Sequence, residues 1–281
     1  MTGFPKSEKE REKAQKRAEF VLGIYEKMGY DVLNIGETDL GLGVENLSAL
    51  QKHSKVAFTS ANLKEEKTGK TVFKPYLVKV ANGIRIGIIG LLTSDVPPYI
   101  YQELNGFFVE DPTKAAIETV NGPLSNCDFV IALAHLNHSE IESLAQMVPQ
   151  ISIIIGGYNR SYAFPQLINR SIYVQTAAFG LSVGRLNLGL VDGRSEFVDT
   201  LQRTLIRKNI EEIQKKVEDP KYANESEDLK KMQDILIEQE KKLPEIVNKN
   251  SYENFSILLH PTMKSDPEIE KLVSSSKDRL K

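Results

Sequence analysis

The residues best suited to chemistry fall at the ends of short apolar runs. Residues 31–35 lead into Gly36-Glu37-Thr38-Asp39-Leu40-Gly41-Leu42-Gly43, a loop holding two carboxylates, a hydroxyl and three glycines. Residues 129–134 lead into His135-Leu136-Asn137-His138, and residues 151–155 into Gly156-Gly157-Tyr158-Asn159-Arg160. Glu37 and Asp39 offer oxygen ligands to a hard cation such as Mg²⁺ or Ca²⁺. His135 and His138 add imidazoles if both point the same way. Arg160, beside two glycines, presents a fork of donors to an anion. Plainer roles compete with each of these. The carboxylates can hold the loop and cap the helix that starts near Val44. The histidines can be polar packing, and Arg160 can pair with Glu37 or Asp39. A divalent metal is therefore the candidate cofactor, with Glu37, Asp39, His135 and His138 as its candidate ligands, and the residues themselves do not demand one.

Open α/β sheets place their chemistry outside the carboxyl ends of their strands. Three apolar strands that each deliver a polar loop thus predict one sheet, with Glu37, His135 and Gly157 on a common rim. Around them the pattern predicts a helix over 7–28, with Ala14, Ala18, Leu22 and Tyr25 at helical spacing and Ser7 and Glu10 forming a capping box. A strand follows over 56–60, then strands 72–80 and 84–91 joined by Asn82-Gly83, a strong hairpin signal. Asp111-Pro112 opens a helix to 120, and Ser139 caps another to 148. Strands are expected over 172–176 and 183–191, the latter turning at Asp192-Gly193 into a partner that ends near Ile206. Beyond residue 207 the chain is rich in Lys and Glu, with apolar residues three and four apart. Helices over 207–217 and 225–247, broken at Pro220, read as a hairpin with one solvated face. A short strand over 255–259 and a final helix after Asp266-Pro267 complete the chain. The expected domains are 1–206, an α/β domain, and 207–281, a helical extension whose short strand packs on that domain.

With 281 residues, 36 basic and 38 acidic, the formal charge is -2. That balance argues against a general electrostatic grip on nucleic acid. The single cysteine, Cys127, excludes an internal disulfide. No apolar run reaches the ~18 residues of a membrane span and no signal-peptide core is present, so a soluble chain of open compartment is expected, with no membrane partner. Met1-Thr2-Gly3-Phe4-Pro5 is compatible with upstream sequence having been removed.

Taken in order, several landmarks resemble the metallophosphatase domain of the 5′-nucleotidases, within the calcineurin-like phosphoesterases. Residues 28–36 resemble the approach to that family's Gly-Asn-His-Asp/Glu loop. Ser60-Ala61-Asn62-Leu63 resembles its Ala-Asn segment, and Ala134-His135-Leu136 its Ser-His-Leu turn. Residues 153–157 lead into the place of the Gly-Gly-His-x-His loop, and Val183-Gly184-Arg185-Leu186 resembles a closing strand. The resemblance implies a layered α/β–β/α sandwich, a two-metal centre that activates water for attack on a phosphate ester, and a phosphate-containing ligand. It also implies losses. Glu37 and Thr38 stand where the metal-binding Asn and catalytic His belong, and Tyr158, Asn159 and Arg160 where two histidines flank one residue. Thr38, Asn62, Gly157, Tyr158, Asn159 and Arg160 thus line an anion site or a vestige of the metal centre. The first motif, an Asp-x-His strand upstream of the first helix, is not seen, nor is the family's C-terminal nucleotide-selecting domain.

Members of that family are often periplasmic or extracellular. For this chain the resemblance implies a relative with weak or lost catalysis and a binding or structural role. The alternatives are an active metal-dependent phosphoesterase and an interaction module of a longer, multidomain protein. The missing opening strand would leave an edge that residues 255–259 are expected to fill, with self-association as the other route.

Overall fold

The computed structural model describes residues 7–158, 162–191, 194, 196–243 and 245–276. The chain divides into two compact units, Met1–Ser182 with Leu258–Lys281, and Val183–Ile257.

The first unit opens with α1 (Glu8–Lys27), capped as expected when Ser7 accepts from the Glu10 amide. Then come β1 (Val32–Asn34), a 3-10 turn at Asp39–Leu42, α2 (Val44–His53), β2 (Ala57–Thr59) and β3 (Leu63–Glu65). The predicted hairpin forms from β4 (Tyr76–Ala81) and β5 (Ile84–Leu92), with φ 50° at Asn82 and 81° at Gly83, as a tight primed turn requires. Next are α3 (Pro98–Leu104), β6 (Phe107–Val109), α4 (Pro112–Asn121), β7 (Phe129–His135), α5 (His138–Met147), β8 (Ile153–Gly156), β9 (Ala163–Ile168) and β10 (Ser171–Gln175).

A six-stranded sheet runs β4-β5-β7-β8-β10-β9. Its centre is parallel, β5 to β7 to β8 to β10, and both edge strands are antiparallel. Buried on both faces, the central strands read as continuous apolar runs. On one side Ile89, Val130, Ala132 and Ile154 meet Ala116 of α4 and Leu144 of α5. On the other, Leu92 joins Leu40, Leu47, Phe58 and Leu63, with Ala18 and Leu22 of α1 packed against them. β1 and β2 pair in parallel as a sheet of their own, so the expectation of one sheet for all three loop-bearing strands is corrected. The strand β9 escaped the sequence reading because it contains Pro165. It lies at the sheet edge, where a missing amide costs no ladder bond.

The second unit holds β11 (Ser182–Gly189), β12 (Phe197–Asp199), α6 (Leu201–Glu218), a 3-10 turn at Pro220–Glu225, α7 (Ser226–Lys241) and β13 (Asn250–Leu258). Its sheet order is β11-β13-β12, with β13 parallel to β12. Two expectations are corrected here. The run 183–191 does not hairpin onto its successor, because β13 lies between them. The 255–259 strand is used in this sheet and does not complete the sheet of β1 and β2. Asp192 and Gly193 lie outside the described residues. The anticipated boundary at 206/207 falls inside α6, since the strand stops at Asp199 and the helix begins at Leu201. The helical hairpin does form, tied by Arg203 and Arg207 to Glu240. α8 (Pro267–Ser276) ends the described chain and belongs to the first unit. No helix among the described residues is long and apolar enough to cross a membrane.

One glycine sets the separation between β5 and the β1–β2 pair. A Cβ on Gly90 would stand 2.5 Å from Asn34 Oδ1 and 2.6 Å from the Thr59 carbonyl oxygen. Gly90→Ala is expected to cost about 1–3 kcal/mol in urea unfolding through overpacking. Gly23→Ala, on the exposed side of α1 with no atom within 4 Å, should gain roughly 0.5–1 kcal/mol. Equal effects at the two positions would refute this account of the packing.

Candidate functional site

The loops after β1, β7 and β8 converge although β1 belongs to a separate sheet. Asn34 donates its side-chain amide to the Leu91 carbonyl at 2.8 Å and so fastens β1 to β5. The Ala61 amide donates to the Gly90 carbonyl at 2.8 Å. At the rim the Thr93 amide donates to the His135 carbonyl at 2.8 Å, and the Gly157 amide to the Ala134 carbonyl at 3.1 Å. These bonds bring three chain segments around one imidazole.

His135 is that imidazole. Its Nε2 donates to the Glu37 carboxylate, and both side chains are largely shielded from solvent. The backbones of Gly36 and Gly157 approach the ring so closely that an added Cβ would lie 3.3 Å and 3.6 Å from it. Tyr158 meets it edge to face, centroids 5.3 Å apart. Partial burial pushes the Tyr158 phenol above its ordinary pKa, and the carboxylates of Glu37, Asp95 and Glu140 and the phenol of Tyr99 push it further. The phenol therefore stays protonated at neutral pH as a hydrogen-bond donor.

The other candidate residues take different places. Asp39 closes the loop on itself. Its Oδ2 accepts from the Gly36 amide at 2.8 Å, while its own amide donates to the Gly36 carbonyl at 3.1 Å. It therefore holds the loop and starts the 3-10 turn, whereas α2 begins at Gly43 without a side-chain cap. Surrounding protein raises the Asp39 pKa, the Gly36 amide and His135 oppose that rise, and Glu37 adds to it. Thr38 is exposed at the head of the turn. His138 points to Glu142 at 3.4 Å on the exposed face of α5 and does not join His135. Asn159 and Arg160 lie outside the described residues. Asn62 is fully buried. Its Nδ2 donates to the carbonyls of Leu92 (2.6 Å) and Glu110 (2.9 Å), and its Oδ1 accepts from the Leu92 amide (2.9 Å). Its side chain is an internal tie.

The sequence reading missed Glu140, which is central to the rim. Asn137 and Glu140 form a reciprocal capping box at the start of α5, so the cap is Asn137 and not Ser139. Glu140 also accepts from the Ser94 amide and hydroxyl at 3.0 and 3.1 Å. The Asn-x-x-Glu spacing was the available signal.

No family model matches the chain. Among curated proteins, the 5′-nucleotidase of Vibrio cholerae is 25% identical over 209 residues, covering 61% of this chain and 37% of that protein. The 5′-nucleotidase of Vibrio parahaemolyticus is 32% identical over 117 residues, covering 41% of this chain and 21% of the relative. Among solved structures, a 5′-nucleotidase precursor from Thermus thermophilus superposes with TM-score 0.65 at 18% identity, over 95% of this chain and 46% of that one. The calcineurin-like phosphoesterase YfkN from Bacillus subtilis gives 0.63 at 16% identity, over 95% and 78%. The chain is similar in sequence to 5′-nucleotidases and shares its fold with solved structures of a 5′-nucleotidase and a calcineurin-like phosphoesterase.

The chain spans between about a fifth and two fifths of the length of those curated relatives. The mixed α/β fold is that of the calcineurin-like phosphoesterases. Within this metallophosphoesterase-like domain, no group of three or more His, Cys, Asp and Glu side chains is placed to hold a metal among the described residues. Of the sequence-derived ligand set, Glu37 and His135 are brought into contact, Asp39 is spent on its loop, and His138 is turned away.

The tie made by Asn62 is testable. Asn62→Ala would leave the buried Leu92 amide and two carbonyls without partners, at about 1–3 kcal/mol for an unsatisfied buried group. Urea denaturation is expected to show a loss of at least that order. A loss below about 0.5 kcal/mol would show that Asn62 is no structural tie.

Proposed function

We propose that this metallophosphoesterase-like domain has lost two-metal hydrolysis and serves a binding or structural role. The observation that carries this reading is the contact between Glu37 and His135. An imidazole and a carboxylate that would each face a cation are instead engaged with one another. Metal-assisted phosphoryl hydrolysis needs ions that polarise the ester and lower the pKa of an attacking water. Two residues already paired, outside any group of three His, Cys, Asp or Glu side chains that could hold a metal among the described residues, fit such a centre poorly.

The side chain at position 38 supports the same reading. Where the resemblance puts an imidazole there is an exposed threonine, which cannot supply a charged donor to developing negative charge. Losing one donor of that kind costs roughly 10²–10³ in rate. Backbone bonds and the asparagine ties hold the shape of the rim.

Metal content and turnover decide the matter together. Purified protein incubated with Mn²⁺, Zn²⁺ or Mg²⁺ and desalted is expected to retain well under one ion per chain. AMP hydrolysis should not exceed background. Stoichiometric metal with AMP turnover that a chelator abolishes would overturn the proposal in favour of an active phosphoesterase.

A further inference from the structure

The packing of α1 on the first unit leaves a space that its own side chains do not fill. No residue of α1 is fully buried, and a cavity of about 390 Å³ lies between the helix and the segment from β1 to β2. Leu47, Leu50 and Phe58 line it and belong to the buried core, against which Ala18 and Leu22 of α1 are only partly buried. Val21 lines it too and is 41% exposed, so the space reaches from the core to solvent.

Size limits what can occupy this space. Small-molecule sites run to roughly 300–1,000 Å³ with mostly apolar walls. One turn of helix, about 10 Å across and 5 Å long, already takes up that much volume, so a peptide segment does not fit inside.

Chemistry limits the occupant further. The polar side chains on the lining are already committed. Arg17 is engaged within the protein, Asp39 accepts from the Gly36 amide, and Asn34 donates to the Leu91 carbonyl. Tyr25 presents a ring that stacks on Tyr30, with centroids 4.5 Å apart. An ion entering between these walls gives up its water and gains no dedicated partner, whereas an uncharged ring gains by leaving water.

We propose that the cavity beneath α1 binds a small, uncharged, largely apolar molecule of one or two rings. Its body lies among Leu22, Leu47 and Phe58, with the Tyr25 ring on the lining. This binding goes beyond the loss of hydrolysis proposed above and does not depend on it.

Isothermal titration at neutral pH with 2-naphthol tests the proposal, beside the 2-naphthoate and 2-naphthylmethylammonium ions as charged counterparts. Saturable binding of 2-naphthol at one site per chain is expected, about tenfold or more tighter than that of either ion, because the charge must be desolvated. Ala18→Phe should fill the cavity and abolish binding. Val21→Phe, at an exposed position of the same helix, is a second occluding variant should the first not fold, and thermal melting reports folding in each case. Absence of saturable 2-naphthol binding would overturn the proposal. So would equal or tighter binding of either ion, or 2-naphthol binding that survives in a folded occluding variant.

Discussion

The close approach of β5 to the β1–β2 pair governs the rest of the first unit. It exists because Gly90 has no side chain, which lets the Thr59 carbonyl and the Asn34 amide lie against its backbone. At that separation the two sheets are joined by polar ties in place of a shared ladder. Asn34 reaches the Leu91 carbonyl, Ala61 reaches Gly90, and Asn62 binds both sides of Leu92. Buried amides of this kind stabilise only when fully paired, and Asn62 is. A larger residue at 90 would move β1, and with it the loop that carries Glu37.

Once those strands are fixed, the rim follows from local chemistry. Asp39 folds its own loop by exchanging bonds with Gly36, and Glu140 caps α5 while holding Ser94. The glycines at 36 and 157 leave room for the His135 ring between two backbones. His135 can then meet Glu37, which lies 98 positions earlier in the chain. A pairing between two protein groups, Glu37 and His135, therefore sits at the centre of this rim.

The second unit relies on a different balance. Its helices carry ion pairs that share a residue: Glu240 joins Arg203 and Arg207 across the hairpin, and Lys231 joins Glu227 and Asp228 within α7. Exposed pairs elsewhere along α6 and α7 contribute little each. The sheet of β11, β13 and β12 and the partly buried stripe between the helices therefore carry the stability of this unit, with Ile206, Ile213 and Tyr252 as buried anchors.

The sequence alone determined whatever depends on neighbours in the chain. Apolar runs marked β1, β7 and β8, Asn82-Gly83 marked the hairpin, Ser7 and Asp111 marked helix starts, and the order of the polar loops pointed to the family. Local propensity and periodicity decide such features, so they are legible without coordinates. The tertiary structure alone decided which strands pair. It placed β1 with β2 in a sheet of its own, put Pro165 on an edge strand, and inserted β13 between β11 and β12. It also separated His138 from His135 and drew Glu37 to His135. Strand pairing and side-chain meetings across such distances depend on which surfaces are buried together. An apolar run states only that it must be buried, and the choice of partner belongs to the packed whole.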